Sequence, residues 1–163
     1  MANRIVSPAP HVHGELSTVR LMRDVLIALA PAVLVSLYFY GWNALVLLLC
    51  SVATCMAVQY LIEKFLLKCP VTVMDLSCVV TGVLLALNLP PAAPWWIAVL
   101  GSAVAIGIAK MTFGGLGQNF MNPALGARCF LLTAFAAQMT AFSASRFAID
   151  GFSGATPLAI IKN

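Results

Sequence analysis

The chain has 163 residues, of which 62% are hydrophobic and only 9% are charged. About a quarter of the residues of an ordinary soluble domain are charged, so this composition excludes such a domain and indicates an all-α integral membrane protein with several spans. The formal net charge of +4 does not predict nucleic-acid binding, because the basic residues cluster beside apolar runs, where they act as topology signals.

Residues 1–20 form a polar arm with two prolines and no sustained periodicity. The arm lacks the pattern of a cleavable signal peptide, so the apolar segment that follows is interpreted as a retained signal-anchor helix. His11 and His13 form a His-x-His pair that would suit a metal ion. The favoured interpretation is a solvated polypeptide arm without a metal site.

Two long apolar runs predict the first two transmembrane helices. The first helix begins near Leu21 and is apolar over residues 25–40, and a turn at residues 41–43 separates it from a second run over residues 44–62. The second run is about as long as the bilayer core requires. Glu63, Lys64 and Lys68 are expected to end the second helix.

The third segment is shorter than a straight span. It covers residues 76–89, with Asp75 expected as its N-cap and two prolines after it. We therefore expect a tilted, broken or partly re-entrant helix that is buried against protein. A fourth helix begins at two tryptophans and continues to about residue 109, and Lys110 is expected to snorkel towards water at its end.

Residues 113–123 predict an irregular loop followed by a well-capped helix. Gly114, Gly115 and Gly117 do not favour regular helix, whereas Asn122-Pro123 is the preferred start of one. The fifth helix is therefore expected over residues 123–142. Arg128 in its second turn has two interpretations: it snorkels or pairs with Asp75, or it serves a solute path.

Five crossings place the two termini on opposite sides of the membrane. With a cytoplasmic N-terminus, seven basic residues lie inside and two lie outside, and this asymmetry favours that orientation. The predicted division is an arm over residues 1–20, a membrane domain over 21–142 and an extracytoplasmic loop over 143–163. The inside residues are Arg4, Arg20, Arg23, Lys64, Lys68, Lys110 and Arg128, and the outside residues are Arg146 and Lys162.

The five cysteines show no CxxC motif and no spacing typical of a zinc site or an iron–sulfur cluster. Most of them lie in apolar runs, where cysteine acts as a small hydrophobic residue. No disulfide framework and no metal site is predicted from them.

The outside loop carries a small polar stretch, Asp150-Gly151-Phe152-Ser153-Gly154-Ala155-Thr156-Pro157. The residues around Thr156 are small, so its hydroxyl is accessible to an external modifying enzyme. Polar loops with Gly and Pro are also the ordinary way to leave a helix, so the stretch alone does not indicate a modification.

Five ordered stretches, spread over essentially the whole chain, resemble the RnfD/NqrB family. This family provides membrane subunits of the Rnf ion-translocating electron-transport complex and of the sodium-pumping NADH:quinone oxidoreductase. The short N-terminal arm favours the Rnf branch. The stretches are Ser7-Pro8-Ala9-Pro10-His11, Pro70-Val71-Thr72, residues 81–91, Gly114-Gly115-Leu116-Gly117-Gln118-Asn119 with Asn122-Pro123-Ala124, and Ser153-Gly154-Ala155-Thr156-Pro157-Leu158.

The resemblance implies a covalent flavin. In this family the last threonine of the motif carries FMN through a phosphoester bond, and a separate exported flavin transferase of the ApbE type transfers the FMN from FAD. Carried onto this chain, the acceptor is Thr156, with Ser153, Gly154 and Ala155 as the recognition segment and Asp150 at the acidic position that opens the motif. An additional, non-covalent flavin is also compatible with the family.

The resemblance further implies a subunit of an ion-translocating oxidoreductase in a bacterial or archaeal cytoplasmic membrane. Electrons would pass from ferredoxin to NAD⁺, coupled to Na⁺ or H⁺ movement, with RnfA, RnfB, RnfC, RnfE and RnfG as partners. No complete active site is expected on this chain, which has no Rossmann or Walker motif. A channel or transporter half-repeat without redox function, and a purely structural scaffold, are the alternatives.

Family members continue for about as long again after the threonine motif. The sequence is therefore expected to correspond to the N-terminal half of such a subunit. Five helices with a broken third segment would form one half of an inverted-repeat bundle.

Overall fold

A computed structural model of the chain describes residues 17–68, 72–115, 117–119 and 121–141. Within those ranges the regular structure is helical and contains no strand, which confirms the all-α fold class. The helices are α1 Thr18–Tyr40, α2 Trp42–Leu61, α3 Ser77–Asn88, α4 Trp95–Val104, α5 Pro123–Ala134 and α6 Ala136–Met139.

In the described part of the chain, three helical stretches are long and apolar enough to cross a membrane: Thr18–Tyr40, Trp42–Leu67 and Trp95–Phe113. The apolar helices α3 and α5 have 12 residues each. At 1.5 Å per residue such a helix is about 18 Å long, well short of a bilayer core of about 30 Å. The short third segment was correctly predicted.

Both α2 and α4 continue beyond their regular part into a wider helical turn. The π-helical turns are Ile62–Leu67 after α2 and Ala105–Lys110 after α4, and a 3₁₀ turn, Met111–Phe113, follows the second. The prediction that Glu63, Lys64 and Lys68 end the second helix is therefore wrong for Glu63 and Lys64, and Lys68 is the residue that follows its last turn. Glu63 is buried, so its carboxylate has partners inside the protein and the helix continues past it.

Of the two predicted N-caps, the one at the start of α3 is wrong and the one at the start of α5 is confirmed. Asp75 closes a 3₁₀ turn, Val73–Asp75, and Leu76 takes the capping position with φ +60°, so the N-cap prediction for Asp75 is wrong. Asn122 does cap α5, because its Oδ1 accepts a hydrogen bond from the Ala124 N–H at 3.0 Å.

The fifth predicted helix is interrupted at Phe135, which has φ −133° and ψ 51°. The Phe135 ring packs edge-to-face on Trp96 with 5.2 Å between ring centroids. The short α6 follows, and residue 142, the predicted end of the helix, lies outside the described residues.

Small residues allow α2, α3 and α4 to pack closely. The Ser51 hydroxyl donates to the Gly82 carbonyl at 2.9 Å and lies 3.0 Å from the Ser102 hydroxyl. A Cβ at Gly82 would come within 2.8 Å of the Val52 Cα. Close approach at small residues is the usual packing mode of membrane helices, and here it confirms the expected burial of α3 against protein.

Candidate functional site

A buried polar network joins the C-terminal ends of α2 and α4 to the N-terminal end of α3. We call this end of the bundle the Lys110 end. The side chains are almost inaccessible, with exposed fractions of 1% for Gln59, 4% for Glu63, 5% for Ser77 and 2% for Lys110. Charged groups are rarely buried to this extent unless they are paired, so each charge must find its partners here.

Lys110 points into the protein. Its Nζ donates to Gln59 Oε1 and to Ser77 Oγ, each at 2.7 Å. The prediction that Lys110 snorkels towards water is therefore wrong. The physical reason is that two helices, α2 and α3, bring acceptors to the end of the π-helical turn, and these hydrogen bonds replace those that water would supply.

Glu63 lies on the other side of Gln59 and is also well satisfied. Its carboxylate accepts from Gln59 Nε2 at 3.0 Å, from the Thr72 N–H at 2.8 Å and from the Thr72 hydroxyl. Gln59 Nε2 additionally lies 3.3 Å from the Thr72 hydroxyl oxygen. The Thr72 segment is thereby fixed to the end of α2.

The Gln59 amide bridges the two charges. Its oxygen faces the Lys110 ammonium and its nitrogen faces the Glu63 carboxylate, so the amide dipole is oriented favourably towards both. Among the described residues, the ion pair within 4 Å is Arg23–Asp24 at 3.7 Å, between exposed side chains. The Lys110–Glu63 pair therefore interacts through an amide and not by direct contact.

The glycine-rich loop closes over the end of α4. The Gly115 N–H donates to the Lys110 carbonyl at 3.2 Å, and the Asn119 side-chain amide lies 3.0 Å from the same carbonyl oxygen. Gly114 and Gly115 have φ values of +102° and +92°. These conformations suit glycine, so the motif ends the helical stretch after Phe113, and the predicted break at the glycines is confirmed.

Two cavities, of about 440 Å³ and about 400 Å³, lie on either side of Lys110 and Ser77. The first faces the Thr72 segment and the glycine loop. The second extends along α3, between α1 and the start of α5, as far as Leu84. Besides the two shared residues, the first is lined by Gln59, Glu63, Leu67, Thr72, Asp75, Met111, Gly114 and Gly115, and the second by Met22, Val80, Thr81, Leu84, Asn119, Met121, Asn122 and Pro123.

Arg128 contacts a residue that the sequence did not indicate. Its Nη1 donates to Asn88 Oδ1 at 2.7 Å. The expected alternative of pairing with Asp75 does not occur, because α5 lies antiparallel to α4 and brings Arg128 to the far end of α3.

The predicted flavin-attachment residues, Asp150, Ser153, Gly154, Ala155 and Thr156, lie outside the described residues. The same holds for His11, His13 and Cys69, and these assignments stay predictions. Within the described ranges, no group of three or more His, Cys, Asp and Glu residues could hold a metal ion, and Cys50, Cys55, Cys78 and Cys129 are free thiols.

Sequence reasoning missed the buried network. One signal was present, since Gln59 and Glu63 are four residues apart and such pairs face each other on a helix. Nothing in the sequence indicated that this face meets Lys110, which lies 51 residues after Gln59 along the chain.

Comparison with known proteins gives a consistent picture. A family profile described as the NQR2, RnfD, RnfE family matches residues 5–163. The chain is 51% identical, over 160 residues, to a protein of Acetobacterium woodii that is named as the D subunit of an Na(+)-translocating ferredoxin:NAD(+) oxidoreductase complex; the match covers 98% of this chain and 50% of that protein.

Two further relatives are named as the D subunit of an ion-translocating oxidoreductase complex. The one from Aliivibrio salmonicida is 43% identical over 140 residues, which is 83% of this chain and 39% of the relative. The one from Shigella boydii serotype 18 is 43% identical over 143 residues, which is 87% of this chain and 40% of the relative. The chain thus spans half or less of the length of these relatives. It belongs to the NQR2, RnfD, RnfE family.

Proposed function

We propose that the chain forms part of the D subunit of an ion-translocating ferredoxin:NAD⁺ oxidoreductase, a membrane subunit that relays electrons coupled to Na⁺ or H⁺ transport. The observation that carries the proposal is the 51% identity to the Acetobacterium woodii relative over 98% of this chain. The membrane-spanning helices and the buried charged network at the Lys110 end are compatible with a role in ion transport.

We further propose that Thr156 carries FMN through a phosphoester bond, attached by an exported flavin transferase of the ApbE type. The chemistry of the acceptor supports this assignment, since a threonine hydroxyl can form a phosphoester and its neighbours Gly154 and Ala155 have little side-chain bulk. Bound FMN would supply one- and two-electron transfer. The role of the chain would be to hold the flavin at high effective concentration near its redox partners.

The proposed orientation places the N-terminus in the cytoplasm and Thr156 outside. The charge asymmetry of the whole sequence supports it. The buried network also supports it, because it brings the end of α2, the start of α3 and the end of α4 together. Successive helices that cross the membrane in alternating directions have these three ends on the same side. RnfA, RnfB, RnfC, RnfE and RnfG would be the partner subunits.

Flavin attachment is tested by producing the protein together with its flavin transferase and examining a denaturing gel under ultraviolet light. We expect a fluorescent band that disappears in Thr156→Ala and persists in Thr140→Ala, which removes a hydroxyl outside the motif. The intact mass should rise by one FMN moiety. Absence of fluorescence in the wild-type protein would refute the flavoprotein proposal.

The orientation is tested separately with a reporter fused after Asn163. A reporter that requires export should be active, and one that works only in the cytoplasm should be inactive. The opposite result would refute the proposed topology without affecting the family membership.

A further inference from the structure

Arg128 lies at the middle depth of the helix bundle. Two contacts set the register of α5 against α4. A Cβ added to Gly126 of α5 would lie 3.6 Å from the Ala109 Cβ, and a Cβ added to Gly101 of α4 would lie 2.6 Å from the Leu131 Cδ1. Arg128 falls between these two levels. It is therefore far from both ends of the crossing stretch Trp95–Phe113.

At this depth the guanidinium group is incompletely satisfied. A guanidinium has five N–H donors, and Asn88 Oδ1, at 2.7 Å, accepts one hydrogen bond from it. The other N–H groups meet no acceptor within the described ranges of the chain. An arginine at the bilayer centre costs about 2.5–3.5 kcal/mol on insertion scales, and such residues almost always face protein or a water-filled cavity.

The surface around Arg128 is exposed and apolar. Leu125 and Leu132, three residues before and four after it on the same helical face, are 51% and 45% exposed. We call Leu125, Arg128 and Leu132 the Arg128 face. An apolar surface with one central cation suits a membrane helix that carries a single carboxylate, which would accept a bidentate hydrogen bond from the guanidinium.

We propose that the Arg128 face binds a helix from the part of the full-length family subunit that this chain does not span, and that an Asp or Glu of that helix receives the guanidinium. The Acetobacterium woodii relative is about twice as long as its match to this chain. A helix in the same polypeptide has a high effective concentration at this face. The inference rests on membership of the family and not on flavin attachment. A failure of the flavin proposal would therefore leave this inference intact, and the reverse also holds.

The test uses the full-length subunit in its assembled membrane complex, with a photoreactive benzoylphenylalanine at Leu125 or Leu132. A matched control carries the probe at Leu34 of α1, which is 66% exposed on a helix without buried residues. We expect the two α5 probes to cross-link to peptides beyond residue 163, and the cross-linked peptides identify the candidate carboxylate. Cross-links only to lipid, to another subunit, or to residues 1–16 or 142–163 would overturn the proposal.

A charge exchange then tests the chemistry. Arg128→Glu should lower the amount of assembled complex at least tenfold, and changing the identified carboxylate to Arg in the same protein should restore it. Arg23→Glu, at an exposed position near the start of α1, is the control and should change assembly less than twofold. Assembly that is unaffected by Arg128→Glu, or not restored by the exchange, would contradict the ionic contact.

Discussion

The buried network predicts a large difference between two lysines near the same end of the bundle. In Lys110→Met, two hydrogen bonds from a charged donor are lost, and Gln59 Oε1 and Ser77 Oγ are left without the ammonium at 2.7 Å. The Glu63 carboxylate also loses the nearby positive charge. Removing one member of a buried charge pair typically costs about 3–5 kcal/mol, and we expect a loss in that range because methionine fills a similar volume.

Lys64→Met is the matched control. Lys64 Nζ donates to the Tyr60 hydroxyl at 2.8 Å and lies 5.1 Å from the centroid of the Tyr60 ring, but the interaction is exposed. Exposed contacts of this kind contribute about 1 kcal/mol or less. The same substitution at two lysines thus separates the effect of burial from the effect of losing a positive charge.

The measurement is thermal unfolding in detergent. The fraction of protein that remains folded after heating is quantified by size-exclusion chromatography. For a chain of this size each 1 kcal/mol corresponds to roughly 2–4 °C, so Lys110→Met should lower Tm by roughly 10 °C and Lys64→Met by a few degrees at most. The double variant Lys110→Met/Glu63→Gln should be less destabilised than the sum of its single variants by about 1–3 kcal/mol. Equal effects of the two lysines, or additive effects in the double variant, would refute the amide-bridged pair.

Three further substitutions test the packing and the loop, with unfolding in detergent as the common measurement. Gly82→Val should destabilise by about 1–3 kcal/mol or more, because its Cβ would meet the Val52 backbone at 2.8 Å; a wild-type Tm would contradict the close α2–α3 contact. Gly115→Ala should cost about 1–2 kcal/mol from its φ of +92° alone, since an added Cβ meets nothing within 4 Å, and Gly115→Asn should cost less. Asn122→Ala should cost about 1 kcal/mol through loss of the α5 cap, whereas Asn122→Asp should retain most of the stability.

The helices and the glycine loop could be predicted because their signals are local. A run of apolar residues predicts a span, and Asn122 followed by Pro123 predicts a helix start, without knowledge of what either packs against. Gly114 and Gly115 predicted a break for the same reason, and both have positive φ.

The inward orientation of Lys110 and Glu63 could not be predicted. A charged residue at the end of an apolar helix has the same sequence signature whether it snorkels to water or turns inward. Here both residues lie in π-helical turns, whose i→i+5 hydrogen bonding shifts the face that each side chain takes. The acceptors come from α2 and α3, so the outcome depends on tertiary packing. The flavin-attachment residues lie outside the described part of the chain, and their assignment stays a prediction.

The positions of two basic residues, Lys110 and Arg128, bear on the proposed topology. Lys110 bonds within the protein and Arg128 lies at middle depth, so neither acts as an exposed cytoplasmic charge in the folded chain. Without them, five basic residues remain on the proposed inside, namely Arg4, Arg20, Arg23, Lys64 and Lys68, against Arg146 and Lys162 outside. The asymmetry keeps its direction, and the first helix usually dominates orientation, so the proposed placement of Thr156 does not depend on Lys110 or Arg128.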